Sequence, residues 1–313
     1  MSDRIVGFLG LGAMGDPMVR VLIAKGWQVV IAPRDPAKAA GLVDAGAILV
    51  ADPAAMADEV SLVVTCLPDA GSVRDVLFGG RGLVAAGRWD GLVMDCSTLK
   101  PAESIEIEGR LAGVGAQYLD APVSGGPRGA TQGTLSIMVG GTTDALELGR
   151  PVLSAMGSRV IHCGATGAGQ VTKACNQLIV MSTVTAVAEA LRLAENAGVD
   201  PWVVREALLG GYAFSPILEM HGVRMLTGDY VPGGRAIFHE KDIATISTLA
   251  DRHHLDLPLF EAVRGQYERL FALPGGAEMD HSAVAILYPT PGHPAAGEPA
   301  ERSEEHTSEL QSR

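Results

Sequence analysis

The sequence predicts a two-part protein: an α/β half built on a doubly wound, mostly parallel sheet, followed by an all-α half. Three observations carry this. Short apolar runs alternate with helical segments as far as residue 164, no strand-like run follows, and a glycine-rich turn joins the first run to the first helix. Strands alternating with helices mean parallel crossovers, with helices covering both faces of the sheet.

Residues 4–10 (RIVGFLG) are an apolar run ending in glycine, and LGAMGDPMVRVLIAKG after it has helical spacing. WQVVIA follows and stops at Pro33. Further strand-like runs are SLVVTCLP (61–68), GLVMDCST (91–98), QYLDAPVS (117–124), LSIMVGG (135–141) and SRVIHCG (158–164), the last closing this half. From Gly167 to Ala197 no proline interrupts an Ala-, Val- and Leu-rich stretch, which reads as one long buried helix. The segments 200–210, 214–226, 241–254 and 258–272 continue as helices. The expected division is therefore a sheet domain over 1–165, a helical substrate and dimerisation domain over 166–290, and a tail over 291–313 without apolar periodicity. Within that tail RSEEHTSELQSR (302–313) reads as a translated sequencing adapter, to be excluded from the fold.

A chain of 313 residues suits two domains, and 47% hydrophobic against 19% charged residues supplies a substantial core. The net charge of −12, with no run of Lys and Arg, argues against nucleic acid or an anionic membrane as partner, but leaves an anionic small molecule open. The N-terminus enters its first strand at once, without a signal-peptide arrangement. No uninterrupted apolar stretch reaches the roughly 20 residues of a membrane span. Cys66, Cys96, Cys163 and Cys175 form no CxxC pair and read as reduced core residues, so a cytoplasmic protein is expected.

Gly10-Leu11-Gly12-Ala13-Met14-Gly15 is a GxGxxG that follows a strand and opens a helix, the fingerprint of a Rossmann dinucleotide site. Its glycines allow the tight turn, the approach of backbone to pyrophosphate, and close helix–strand packing. The helix N-terminus offers N–H groups to the phosphates. At the tip of the second strand, Ala32-Pro33 is followed by Arg34, which favours NADP(H) by pairing with a 2′-phosphate. Asp35, about 20 residues past Gly15, keeps NAD(H) open.

Four segments in order, GLGAMGDPM (10–18), DAPVSGG (120–126), GATGAGQVTKACNQ (164–177) and KDI (241–243), resemble the β-hydroxyacid dehydrogenases, as does DHSA (280–283). The resemblance covers roughly residues 4–288. It implies metal-independent hydride transfer, with Lys173 as general acid/base; a lysine beside a cofactor at the start of a buried helix would have its charged form disfavoured. Ser124, Gly125 and Gly126 match the substrate-carboxylate clamp, where glycines admit close backbone approach. Asn176 and Gln177 match a family pair of asparagines; the glutamine resembles tartronate semialdehyde reductases, and its i+4 spacing from Lys173 turns Gln177 towards the substrate. Lys241 matches a lysine near the nicotinamide, and its neighbour Asp242 reads as orienting or capping that helix. Leu67, Pro68 and Thr98, where two strand-like runs end, complete the cofactor contacts.

The resemblance implies reduction of a short 3-oxo acid, tartronate semialdehyde to glycerate first. Its alternatives are a 3-hydroxyisobutyrate or threonate-type dehydrogenase, a succinic semialdehyde reductase, an imine reductase, and a non-catalytic NADP-binding module. Retention of Lys173 argues against the last two. Tyr212 and Phe214 stand where small residues are common in the family and would reshape the pocket. No GxSxG is present, HEKD (239–242) is not HExxH, and His253-His254 reads as surface. The long apolar helix implies a homodimer or homotetramer.

Overall fold

In a computed structural model the described residues are 4–290, and their contacts divide the chain into two compact units between Asn176 and Gln177. The tail over 291–313, with its adapter-like end, lies outside the described residues.

The first unit opens with β1 (Ile5–Leu9), α1 (Gly15–Ala24), β2 (Gln28–Ile31), α2 (Ala40–Val43), β3 (Ile48–Leu49), α3 (Pro53–Met56) and β4 (Leu62–Thr65). It continues with α4 (Ala70–Phe78), β5 (Leu92–Asp95), α5 (Pro101–Ala112), β6 (Gln117–Asp120), β7 (Val123–Ser124), α6 (Gly126–Gln132), β8 (Leu135–Gly140), α7 (Thr143–Met156) and β9 (Gly157–Gly164). The nine strands form one sheet in the order β3-β2-β1-β4-β5-β6-β8-β7, with β9 on β8. All pairs from β3 to β6 are parallel, while β8 runs antiparallel to β6 and β7. Strand order reverses direction between β1 and β4, and in such sheets a ligand crevice opens at the carboxyl ends of those strands.

Adjacent strand residues point to opposite faces, yet both are buried. Val64 and Met94 join α1 and α7 in one apolar cluster, while Val63 and Val93 join α4 and α5 in the other. Covering on both faces is why these strands read as near-continuous apolar runs. The run 117–124 is not one strand, however. Pro122 has no N–H to give to a ladder, so the run is interrupted there: β6 pairs in parallel with β5 and meets β8 only at its last residue, while β7 continues in the same direction, antiparallel on β8. The two-residue, exposed β3 lies in the short apolar run Ala47–Val50 and was not expected.

The helix α8 (Ala168–Asn196) runs for 29 residues across the division between the units. By length and composition it is apolar enough to cross a membrane, a test that the core helix of a soluble protein also passes. The second unit contains its C-terminal part, α9 (Pro201–Leu209), α10 (Pro216–Thr227), α11 (Phe238–Arg252), α12 (Pro258–Ala272) and a 3-10 segment, His281–Leu287. Val184, Val187, Ala188 and Leu191 of α8 build its core with Leu218, Leu270 and the apolar residues of 283–287. No strand lies in this unit among the described residues, and His253 and His254 are exposed.

Candidate active site

Gly10 makes the turn after β1 at φ +106°, and a Cβ there would lie 2.2 Å from the Cys66 carbonyl oxygen. At Gly15, the first residue of α1, a Cβ would lie 1.8 Å from the Gly10 carbonyl oxygen. The fold itself excludes a side chain at both positions. Gly12 differs: it is exposed, and a Cβ there would meet nothing within 4 Å. The packing does not require a glycine at that point, but close approach of a pyrophosphate does. Leu11 and Met14 pack on the core while Ala13 faces out. No side chain caps α1, and the acid of its first turn, Asp16, is paired with Arg20 at 2.8 Å. These residues fit a dinucleotide phosphate lying on the helix N-terminus. Arg34 is exposed beyond β2, while Asp35 accepts the Ala37 N–H at 3.2 Å as the cap of a 3-10 turn.

A buried polar network fixes the ends of the neighbouring strands. Asp95, at the end of β5, accepts from Thr65 Oγ1 at 2.7 Å, from the Ser97 N–H at 3.0 Å and from the Tyr118 hydroxyl at 3.0 Å. Burial pushes its carboxyl above the usual range, against those donors. Ser97 Oγ accepts the Leu67 N–H at 2.9 Å, so the two loops bearing Leu67, Pro68 and Thr98 are tied together.

Ser124 ends β7, and Gly125 and Gly126 follow at φ +130° and +59°. An L side chain rarely adopts either conformation, and both glycines are exposed, leaving their backbone approachable. Four residues upstream, Asp120 ends β6 fully buried. Its Oδ1 accepts the Gly167 N–H at 2.7 Å and its Oδ2 the Gln170 N–H at 2.9 Å. Burial pushes the Asp120 carboxyl up to about 6, although these N–H donors favour its ionised form.

Gln170 is also clamped through its side chain. Its Oε1 accepts the Leu99 N–H at 3.0 Å, and its Nε2 donates to the Ser97 carbonyl at 2.9 Å. The first turn of α8 is thereby fastened to β5 and β6, and Lys173 follows in the next turn, only 8% exposed. Gln170 thus holds the start of the helix that bears Lys173 against the loop of Thr98 and the end of β6. Neither Asp120 nor Gln170 stood out in the sequence, though both lie within the motifs that did.

Asn176 and Gln177 are half-buried. In the second unit Gln177 Nε2 donates to Asp242 Oδ2 at 2.5 Å. Asp242 does not cap α11: the helix begins at Phe238 after Ile237, and Asp242 is buried within it, beside the half-buried Lys241. Asp242 Oδ2 also lies 3.2 Å from His239 Nδ1, and His239 leads on to His281 and His221. HEKD and DHSA contained the signal for this cluster, but nothing in either motif indicated that their histidines meet. Tyr212 is fully exposed and Phe214 more than half exposed on the helical unit.

Residues 5–164 match the family profile described as the NAD binding domain of 6-phosphogluconate dehydrogenase. Residues 167–288 match that described as NAD-binding of NADP-dependent 3-hydroxyisobutyrate dehydrogenase. The 2-hydroxy-3-oxopropionate reductase of Escherichia coli is 38% identical over 279 residues, covering 89% of this chain and 95% of the reductase. The chain belongs to the β-hydroxyacid dehydrogenase family. The crystal structure of 3-hydroxyisobutyrate dehydrogenase from Salmonella typhimurium superposes with a TM-score of 0.82 at 31% identity, over 90% of this chain and 98% of that one. Psf3, solved in complex with NADP+ and 2-OPP, has a TM-score of 0.80 at 26% identity, over 90% and 98% of the two chains. As a β-hydroxyacid dehydrogenase, the protein is an NAD(P)-dependent oxidoreductase acting on small hydroxyacids, with a Rossmann domain followed by a helical region.

Proposed function

We propose that this enzyme reduces tartronate semialdehyde to glycerate with NADPH as its preferred reductant and Lys173 as its general acid. The single observation that carries the role of Lys173 is its burial one turn beyond a helix start fastened by Asp120 and Gln170. The bound nicotinamide supplies the hydride to the carbonyl carbon. Lys173 Nζ gives its proton to the carbonyl oxygen, so the product is an alcohol and the amine is left neutral until it regains a proton. Backbone N–H groups of the Ser124–Gly126 turn and the Ser124 hydroxyl hold the substrate carboxylate. Gln177 and Asn176 orient the substrate hydroxyl and Lys241 lies towards the nicotinamide.

The substrate reading rests on the E. coli reductase and on Gln177 following the lysine by four residues. A 3-hydroxyisobutyrate-type substrate is the second reading, favoured by the Salmonella enzyme. Preference for NADPH is supported by Arg34 beyond β2, by Asp35 being engaged as a cap, and by the NADP+ bound to Psf3. The glycine turn, Leu67, Pro68 and Thr98 complete that cofactor's surroundings. We place the functional boundary at 165/166, after β9. Ile179, Leu193 and Val203 are each more than half exposed, which supports a homodimer or homotetramer built on the helical half. Four free cysteines support a reducing, cytoplasmic setting.

The test is loss of NADPH and NADH absorbance against a panel of tartronate, methylmalonate and succinic semialdehydes, glyoxylate and a cyclic imine. The proposal expects rapid turnover of tartronate semialdehyde with NADPH. Turnover of the imine alone would remove the role of Lys173, and turnover of none would leave a dinucleotide-binding module.

A further inference from the structure

Two of the four cysteines stand side by side at the carboxyl ends of β4 and β5. Thr65 of β4 pairs with Asp95 of β5 in parallel register, so the residues after them, Cys66 and Cys96, are the next pair across the two strands. The ladder still holds there. The Cys96 N–H donates to the Thr65 carbonyl at 2.7 Å, and the Cys66 N–H to the Leu9 carbonyl at 2.9 Å. Successive side chains point to opposite faces of a sheet. Thr65 and Asp95 bond to each other on one face, so Cys66 and Cys96 share the other. Cys96 lies within the apolar cluster of α1 and α7, and Cys66 packs against that same cluster, as do Leu11 and Met14 of the glycine turn.

Paired residues of neighbouring strands have Cα atoms about 4.8 Å apart, inside the roughly 4.4–6.8 Å that a disulfide spans. A disulfide also needs its Cβ atoms about 3.8 Å apart, whereas parallel side chains in register start near the strand spacing. Bridging is therefore within reach but draws the strand ends together by about 1 Å. A bond formed under such strain is readily reduced again. The two thiols are unlike. Cys66 is half-buried and open to a small oxidant, whereas Cys96 is 3% exposed. Burial pushes the Cys96 thiol well up, and the charges of Cys66 and Asp95 push it the same way. One sulfur meets the oxidant, and the other answers from inside.

We propose that Cys66 and Cys96 are an oxidation site, at which a hydroperoxide forms a reversible disulfide and loosens the bound dinucleotide. The proposal rests on the reading of the Gly10–Gly15 turn, Leu67, Pro68 and Thr98 as dinucleotide contacts. In the first step the Cys66 sulfur attacks a peroxide oxygen. The S–O bond forms, the O–O bond breaks, and the departing oxygen takes the thiol proton and leaves as alcohol, or as water from hydrogen peroxide. In the second step the Cys96 sulfur displaces the oxygen from Cys66. The S–S bond forms, and hydroxide leaves with the Cys96 proton as water. The two sulfurs together give up two electrons, and the peroxide gains them. A dithiol reverses the bridge by exchange.

The coupling to the dinucleotide runs through short contacts. The Gly10 backbone sits so close to the Cys66 carbonyl oxygen that a Cβ at Gly10 would lie 2.2 Å from it. Leu67 follows directly, and its N–H is held by the Oγ of Ser97, the neighbour of Cys96. Drawing Cys66 towards Cys96 moves the floor of the glycine turn and both loops at once. Linkage makes the effect reciprocal: a dinucleotide that binds the dithiol form more tightly disfavours the disulfide by the same factor.

The test uses the full-length protein, reduced and then exposed to hydrogen peroxide with and without saturating NADP+. Peptide mass spectrometry should find the Cys66 and Cys96 peptides joined, two hydrogens lighter than their sum. NADPH affinity, followed by fluorescence titration, should fall about tenfold and return after dithiothreitol. Saturating NADP+ should raise the reduction potential of the pair by about 30 mV, the same tenfold for a two-electron couple. Cys66→Ser and Cys96→Ala should each keep the affinity of the reduced protein within about twofold and lose the response to peroxide. Products confined to a Cys66 sulfinate, Cys163 or Cys175 would overturn the proposal. So would a joined peptide with unchanged NADPH affinity, or an affinity loss that persists in both variants. Failure of the reduced protein to bind either dinucleotide would instead refute the reading of the glycine turn, while the joined peptide reports the cysteine pair regardless.

Discussion

Asp120 Oδ2 accepts the backbone N–H of Gln170 at 2.9 Å, and this one contact ties the end of a central strand to the start of the helix that bears Lys173. Its folded-state pKa is raised from 3.8 to about 6 by burial, so the folded protein binds this proton more tightly than the unfolded chain. The contribution is fully present below 3.8 and is lost as pH rises through about 6, a difference of about 3 kcal/mol. Asp120→Asn should abolish that pH-dependent component, measured as wild type minus variant in urea unfolding across this window. It should also lower kcat, because an amide turns one donor towards the N–H group of Gly167 or Gln170 at the start of α8.

Replacing Lys173 by Met keeps the buried volume and removes the proton. Turnover should fall by roughly 10²–10⁴-fold. Dinucleotide affinity, followed by fluorescence titration, should change by no more than about threefold, since the glycine turn is untouched.

Arg34→Asp should reverse the cofactor preference. Losing a charge-assisted pair with a 2′-phosphate costs about 1.5–3 kcal/mol, or roughly 10–100-fold in KM for NADPH. KM for NADH should stay level or improve. Steady-state kinetics with both cofactors decides it, and an unchanged ratio would place the 2′-phosphate elsewhere.

The histidine row predicts an acid-sensitive second unit. His281 is depressed from 6.5 to about 3, chiefly by burial, and Asp280 is held well below the carboxylate range by donors from His221 and Ser282 that outweigh its burial. Both folded values lie below the unfolded ones, so the stability is present above 6.5 for His281 and is lost as pH falls towards 3. From pH 7 to about 5 the His281 share of the loss is about 2 kcal/mol. His281→Gln should flatten that slope, opposite in sense to the Asp120 effect.

Most of the fold was legible because it depends on local pattern. Apolar runs separated by helical spacing mark a sheet covered on both faces, and Gly10, Gly12 and Gly15 mark the turn that begins it. The strand break at Pro122 was visible in principle, since proline cannot join a ladder, but the apolar residues on either side masked it. Lys173, Ser124 and Gln177 were reachable only through resemblance to a family. What stayed hidden was tertiary pairing. Asp120 and Gln170 are 50 positions apart, and His281 meets partners 42 and 60 positions away. No periodicity connects residues at such separations.

The three glycines of the first turn are not equivalent, and this separates folding from function at the level of single codons. Gly10 and Gly15 are demanded by the chain's own backbone, whereas the space beside Gly12 is empty of protein. A methyl group introduced there would leave the protein abundant and folded while denying it its redox partner. Gly12→Ala is therefore the allele for a genetic experiment: it removes the chemistry and leaves any scaffolding by this polypeptide in place.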